Sequence, residues 1–205
     1  MEESMVACRV CARLPVENSV FRLCLYSSAG DLKEHLAMIL GEVAGRSGVL
    51  VRVHSECFTG DVLGSRRCDC GEQLHRSLQL IAAAGLGILI YLRQEGRGIG
   101  LAEKLRAYNL QDQGYDTVDA NLVLGHPADG RDYTVAACIL RDLGVSSIRL
   151  LTNNPGKMED LQALGIEIVE RVPLDCMVTP ENLVYLKTKV ERMHHWIKVE
   201  RHPEG

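Results

Sequence analysis

The stretch GVLVRVHSECFTGDVLGSRRCDCGEQLHRSLQLIAAAGLGILIYL, residues 48–92, decides the fold. Its opening, GVLVRVH (48–54), is rich in β-branched residues. In an extended chain Val49, Val51 and Val53 face one way, and Leu50, Arg52 and His54 the other. EQLHRSLQLIAAAG (72–85) sets Leu74, Leu78 and Ile81 on one helical face and stops at a glycine. LGILIYL (86–92) is an apolar run of buried-strand length. Strand, helix, strand is the unit of an α/β domain.

The rhythm continues downstream. GLAEKLRAYNLQDQG (100–114) puts Leu101, Leu105 and Tyr108 on one helical stripe. DYTVAACILRDLG (132–144) reads as a helix, SIRLLT (147–152) as a strand, PGKMEDLQALG (155–165) as a short helix and IEIVERV (166–172) as a strand. The expected architecture is α/β, with a mixed, largely parallel sheet flanked by helices. Thr179 and Pro180 read as N-cap and first residue of a last helix running through Trp196. DLKEHLAMILGEV (31–43) is ambiguous between helix and strand. No Pro/Gly/Ser-rich linker divides the chain. One domain is therefore expected over residues 16–197, between a loose segment at 1–15 and a tail at 198–205.

Composition narrows the function. A chain of 205 residues with 46% hydrophobic content can bury a sizeable core. A net charge of −4 argues against coating a nucleic-acid polymer, so any positive charge for an anionic ligand must be local. No apolar run is long enough for a membrane span. The N-terminal MEESMVACRVCARLP opens acidic and lacks the apolar core of a signal peptide. A cytoplasmic location is expected, with the eight cysteines as free thiols or metal ligands.

Cys57, Cys68 and Cys70 crowd into one glycine-punctuated loop with Arg66 and Arg67. Three thiolates converging on zinc would leave the fourth tetrahedral position open, as catalytic sites do. Water there ionises with a pKa of roughly 7. Three unrelated buried cysteines are the plainer reading, which their crowding among Gly60, Gly64 and Gly71 disfavours. HSEC…CDC also imitates the H-x-E half of a zinc nucleoside deaminase, but the second half fails for want of P-C-x-x-C. CRVC (8–11) could be half of a zinc ribbon, yet no second C-x2-C exists. Cys24, Cys138 and Cys176 lie in apolar stretches and read as small core residues.

Two basic loops follow strands. RQEGRGIG (93–100) joins arginines, a glutamate and glycines before a helix, which suits an anion or a solvated turn equally. TNNPGK (152–157) places Lys157 in a first helical turn, where a cation is badly placed for helix stability and better explained by a ligand.

Taken together, RVHSECFTGDVLGSRRCDCGEQL, YLRQEGRGIGL, YNLQDQGYDTVDAN, DGRDYTVAACIL and LLTNNPGK resemble the GTP cyclohydrolase II family, in order and spacing, from Phe21 to Trp196. The resemblance implies a strand within 31–43. In many bacteria this domain follows a dihydroxybutanone phosphate synthase domain. The roughly forty residues before GVLVRVH cannot hold one, so a stand-alone form is the expectation.

By resemblance, Cys57, Cys68 and Cys70 hold one Zn2+ per chain, whose water attacks C8 of guanine and releases formate. GTP is held by Arg52, Val53, His54, Ser55, Glu56, Gln73, Glu95, Gly96, Arg97, Thr117, Thr152 and Lys157. Arginine and lysine suit the triphosphate, glutamate and glutamine the donor-rich guanine edge, and Mg2+ bridges phosphate oxygens. Tyr108, otherwise a core aromatic, matches the tyrosine whose presence goes with full deformylation. Arg131 matches the residue proposed to attack the α-phosphate, with Asp129 as proton acceptor, although ADGRD alone reads as a surface turn. A protonated guanidinium is a poor nucleophile, so a transition-state clamp is the favoured role. The implied reaction converts GTP to 2,5-diamino-6-(5-phospho-ribosylamino)pyrimidin-4(3H)-one, formate and diphosphate, the first step of riboflavin biosynthesis, in a homodimer. The rival readings are a relative acting on another purine nucleotide or stopping at the formamide, and a zinc-stabilised GTP sensor. Tyr108, Asp129 and Arg131 together count against the sensor. His126 departs from the family pattern and reads as a surface histidine near the phosphate-side loop.

Overall fold

A computed structural model describes residues 6–29, 33–175 and 177–199. The strands are β1 (Val6–Val16), β2 (Ser19–Ser28), β3 (Glu34–Leu40), β4 (Val49–Ser55), β5 (Gly87–Leu92), β6 (Ile148–Leu151) and β7 (Ile168–Val172). The helices are α1 (Phe58–Asp61), α2 (Cys70–Ala84), α3 (Leu101–Asp112), α4 (Thr117–Val123), α5 (Thr134–Asp142), α6 (Pro155–Ala163) and α7 (Leu183–Met193). All strands join one seven-stranded sheet in the order β1-β2-β3-β5-β4-β6-β7.

The sheet is mixed. β5, β4, β6 and β7 run parallel, linked through helices, as the strand–helix rhythm predicts. β1, β2 and β3 add an antiparallel meander against β5. β4 is buried along nearly its whole length because helices cover both faces. Val49, Val51 and Val53 enter one core layer with Ile88, Ile90 and residues of α5 and α6. Leu50 enters the other with Ile81 and Leu89, against which Leu74 and Leu78 pack. On that second face Arg52 and His54 follow Leu50 toward the carboxyl end of the strand.

Four expectations change. Residues 6–15, expected to be loose, form most of β1, because the hairpin partner β2 satisfies their backbone groups. Residues 1–5 and 200–205, and the core assignment of Cys176, lie outside the described residues. Cys24 is in the core as expected, but it is disulfide-bonded to Cys11, its directly opposite partner across the hairpin. Cys138 packs beside the core as a free thiol. In α3, Leu101 and Leu105 are exposed, and the inward stripe is Lys104, Ala107, Tyr108 and Gln111. That face meets a polar cleft rather than the apolar core.

The last helix starts later and ends sooner than its cap signals suggest. Thr179 N–H donates to Asn182 Oδ1 at 2.8 Å and Asn182 N–H to Thr179 Oγ1 at 3.3 Å, so residues 179–182 form a closed turn before Leu183. His194 adopts a left-handed conformation and stops the helix before Trp196. Asn182, buried, also donates to the Met177 carbonyl at 2.9 Å. Asn182→Ala should therefore lower unfolding free energy by about 1–2 kcal/mol. Chemical denaturation checks this, and an unchanged midpoint would show that the turn contributes nothing.

Candidate active site

The carboxyl ends of β4, β5 and β6 open onto one cleft of about 1080 Å3, open solvent included. The strand order turns back across β4 here, the place where open α/β sheets form crevices. Three segments supply the walls: residues 56–57 after β4, 95–97 after β5, and 152–154 after β6 with Lys157 in the first turn of α6.

One end of the cleft is built from sulphur. Cys57 precedes α1, and Cys68 and Cys70 lie at the start of α2. Their Sγ atoms all lie within 4.8 Å of one another, with Cys57 and Cys68 at 3.6 Å. Thiolates about 2.3 Å from a tetrahedral zinc sit about 3.8 Å apart. Two glycines make this approach possible. A Cβ on Gly60 would lie 2.9 Å from Cys68 Sγ, and one on Gly71 2.3 Å from the Gly60 carbonyl oxygen. Hydrogen bonds from the Cys68 and Cys70 thiols, helped by Lys104, push Cys57 far below the usual thiol range. Cys68, hydrogen-bonded to Cys57, is raised above the usual thiol range, and Cys70 is raised as well. One anionic sulphur shared by two thiols is a donor set suited to a thiophilic cation.

The sulphur end is held by carboxylates. Asp61 accepts from Cys57 N–H at 2.9 Å, from Tyr91 OH at 2.8 Å and from His54 Nε2 at 3.0 Å. Burial drives His54 below the usual imidazole range, against the opposing pull of Asp61. Glu95 accepts from Phe58 N–H at 2.5 Å, Gly96 N–H at 2.8 Å and Lys104 Nζ at 2.7 Å. Lys104 also reaches Cys57 Sγ at 3.1 Å. Tyr108 lies beside them, its hydroxyl 3.2 Å from Thr59 Oγ1 and its ring under Arg67.

The other end is cationic. Arg52, buried, donates to the Leu151 carbonyl at 2.9 Å and to Gln73 Oε1 at 2.6 Å, and its Nε has no partner. Gln73 in turn donates to Asp69 at 2.5 Å. Lys157 is 4% exposed, with Nζ 2.6 Å from the Val53 carbonyl oxygen. Burial, then Arg52 and Arg131, hold Lys157 well below the usual lysine range. Arg131 forms a two-pronged pair with Asp129, through Nε at 2.8 Å and through Nη2. Burial opposes the Arg131 charge, but Tyr133 and Asp129 keep its pKa above the ordinary arginine value. Gly96 and Arg97 are both left-handed, at φ 62° and 60°. For arginine that conformation costs roughly 1–2 kcal/mol. The turn is clamped by Gly130 N–H on the Arg97 carbonyl at 3.1 Å.

The cleft thus gathers Arg52, His54, Ser55, Glu56, Cys57, Cys68, Cys70, Gln73, Glu95, Gly96, Arg97, Tyr108, Thr117, Arg131, Thr152 and Lys157, all named from the sequence. Val53 differs, since its side chain is in the core and only its carbonyl faces Lys157. Asp129 reaches the cleft through Arg131. His126 lies 3.4 Å from Glu103, away from the cleft lining. Sequence reading passed over Lys104, Tyr185, Lys189 and His195, which also line the cleft. Lys104 was within reach, one turn before Tyr108 on the same helix face. The others lie on or just beyond α7, whose placement over the cleft no local spacing announces. Lys189 pairs with Asp69 at 2.6 Å. Burial, with Lys189 and Arg131 nearby, pushes His195 down to about 3, and its Nε2 is unpartnered.

Comparison with known proteins gives a concordant result. The profile of the family described as GTP cyclohydrolase II matches residues 8–173. The riboflavin biosynthesis protein RibBA of Bacillus cereus (strain B4264) is 53% identical over 197 residues, which is 96% of this chain and 50% of that protein. RibBA of Mycobacteroides abscessus is 55% identical over 200 residues, 95% of this chain and 48% of that protein. The chain spans about half the length of these curated relatives. The solved structure of RibBX, a two domain 3,4-dihydroxy-2-butanone 4-phosphate synthase from A. baumannii, aligns at 24% identity with a TM-score of 0.38, over 74% of this chain and 35% of that one, too distant to bear on the fold.

The depressed Lys157 has a measurable consequence. It holds its proton less tightly than an ordinary lysine, and an oligophosphate in the cleft would strengthen that hold. Calorimetric titration with diphosphate above neutral pH should show proton uptake from buffer and affinity that falls as pH rises. Lys157→Arg, which stays charged, should remove that part of both effects. Equal uptake by the two proteins would assign it elsewhere.

Proposed function

The chain belongs to the GTP cyclohydrolase II family, and on that premise we propose that it hydrolyses GTP to a diaminopyrimidinone ribosyl phosphate, formate and diphosphate in riboflavin biosynthesis. The observation that carries this reading is the meeting, in one cleft, of a three-thiol cradle and a set of buried cations. Ring opening at guanine C8 needs the first, and cleavage within a triphosphate the second.

The cradle fits zinc. Three sulphurs converge, Gly60 and Gly71 leave room for them, and no carboxylate or histidine joins them among the described residues. Cys57, Cys68 and Cys70 would hold Zn2+, which when bound supplies the Lewis acid for water attack on the imidazole ring. Lys104 and Glu95 hold the loop that presents Cys57. Tyr108, its hydroxyl 3.2 Å from Thr59 Oγ1 beside the cradle, would donate to the opening ring, in keeping with the family tyrosine that goes with full deformylation.

Arg52, Arg97, Thr117, Thr152 and Lys157 would hold the phosphates, with Val53 acting through its carbonyl. His54, Ser55, Glu56, Gln73, Glu95 and Gly96 would shape the base and ribose side. Mg2+ would arrive on the triphosphate, since no trio of carboxylates or histidines gathers among the described residues to hold it. Arg131, always charged and paired with Asp129, would act as a clamp on phosphoryl charge rather than as nucleophile. The homodimer is carried over from the family. The three free thiols of the cleft suit a reducing compartment such as the cytoplasm, whereas the Cys11–Cys24 disulfide by itself suits an oxidising one. No helix among the described residues is long and apolar enough to cross a membrane.

The deciding experiment measures formate and diphosphate from GTP with the purified zinc-loaded protein. Release of neither would overturn the proposal. Cys68→Ser should lose the metal at this cradle. Cys57→Ser should abolish formate release while leaving some diphosphate release, because the two ends of the cleft handle different bonds. Loss of both products from a folded Cys57→Ser protein would show that the halves are inseparable.

Arg131→Ala should slow diphosphate release by about 10²–10³-fold, the usual cost of one transition-state donor, and Arg131→Lys should recover part of it. Intact-mass spectrometry of rapidly quenched wild-type protein should show no guanylyl adduct. An adduct that forms and decays at the turnover rate would make Arg131 the nucleophile.

A further inference from the structure

The N-terminal hairpin gathers three sulphur atoms that the cleft does not use. In a regular strand, residues three apart lie on opposite faces. The β1–β2 register shifts between Cys8 and Val10, so that Cys8 pairs with Tyr26, Val10 with Leu25 and Cys11 with Cys24. The extra residue, Arg9, brings Cys8 back onto the face of Cys11, and their Sγ atoms stand 3.5 Å apart. Cys24 lies opposite Cys11 and is bonded to it in the oxidised protein. All three Sγ atoms lie within 4.8 Å of one another.

The surroundings suit negative sulphur. Arg13 and Arg22 are directly opposed in the register, two residues beyond Cys11 and two before Cys24, hence on the same face. Opposed like charges repel, and thiolates beside them would offset that repulsion. The frame is firm on its inner side, where Cys24 is 1% exposed and Tyr26 OH donates to Asp142 at 2.7 Å. Cys8 and Cys11 are exposed, so a cation and its remaining ligand can reach the sulphurs from solvent. The Cys8–Cys11 separation is already close to the roughly 3.8 Å expected between two thiolates on a tetrahedral zinc.

We propose that, when the Cys11–Cys24 disulfide is reduced, Cys8, Cys11 and Cys24 form a second metal site that takes a thiophilic divalent cation of the Zn2+ or Cd2+ class. Opening consumes a dithiol, which passes two electrons and two protons to the S–S bond and leaves as its own cyclic disulfide. Two cysteine thiols result, and Cys8 is the third. Binding forms three metal–sulphur bonds and releases the three thiol protons, leaving the fourth position to water or another solvent-side ligand. This site is independent of the Cys57–Cys68–Cys70 cradle and of any activity there.

Cadmium titration of the full chain tests it. The protein is stripped of metal, reduced with dithiothreitol, desalted without oxygen and assayed for free thiols, then titrated while thiolate-to-cadmium absorption is followed. Reduced wild type should take about two equivalents, and unreduced wild type about one. Reduced Cys8→Ser, which leaves the core and Cys24 untouched, should take about one. Reduced Cys68→Ser should keep the hairpin equivalent. About one equivalent in fully reduced wild type, or two undiminished equivalents in Cys8→Ser, would overturn the proposal.

Discussion

The site depends on one buried carboxylate. Asp61, its side chain 2% exposed, collects bonds from the backbone of Cys57, the hydroxyl of Tyr91 and the imidazole of His54. A buried carboxylate is tolerated only when its oxygens are occupied. Three donors from two adjacent strands and the loop between β4 and α1 meet that demand. In doing so they fix where Cys57 points relative to β4 and β5. His54 stacks on Tyr91 with ring centroids 5.5 Å apart, so the same constraint sets the floor of the cleft. The thiol cradle is therefore positioned by a network that contains no thiol.

At the other end the molecule accepts electrostatic strain. Arg52, Lys157, Arg131 and Lys189 converge on a small volume, while Asp69 and Asp129 neutralise only part of their charge. In a chain whose net charge is −4, this concentration is local. Burial first, and this crowding after it, depresses Lys157 and His195. Removing an anion from such a cluster costs stability and adding one restores it. A cleft strained in this way is complementary to a polyanion in its resting state.

Much of this was legible in the sequence, for a physical reason. β4 and β5 are buried on both faces, so their apolar runs and alternation had to be explicit in residues 48–54 and 86–92. The loops after β4, β5 and β6 carry compact motifs, and the residues named from them line one cleft. β1 was missed because an edge strand exposed on one side needs no apolar pattern, and its pairing depends on β2. The stripe of α3 was misread because its inner face meets a polar cleft, where Lys104 and Gln111 are at home. His195 could not be anticipated, since its place depends on the left-handed His194 and on Trp196 N–H meeting the Asn153 carbonyl at 2.9 Å, and Lys189 reaches the cleft through its pair with Asp69, which is distant in sequence. The Cys11–Cys24 bond is likewise a matter of register rather than spacing.

The C-x-C spacing at residues 68–70 has its explanation in what stands between. Cys68 and Cys70 turn toward Cys57, while Asp69, 1% exposed, bonds Lys189 from α7 and receives Gln73, which in turn holds Arg52. One turn of chain thus presents sulphur to one end of the cleft and a carboxylate to the other. A C-x2-C spacing would free the intervening residues from that alternation and break the link between α2 and α7. Arg52 is tied onward to the Leu151 carbonyl at the end of β6, beside Thr152. Any shift of α2 that alters the thiol cradle must therefore move Asp69 and Gln73, and through them the cations. The two ends of the cleft are chemically separate but mechanically joined, and the joint is the first turn of α2.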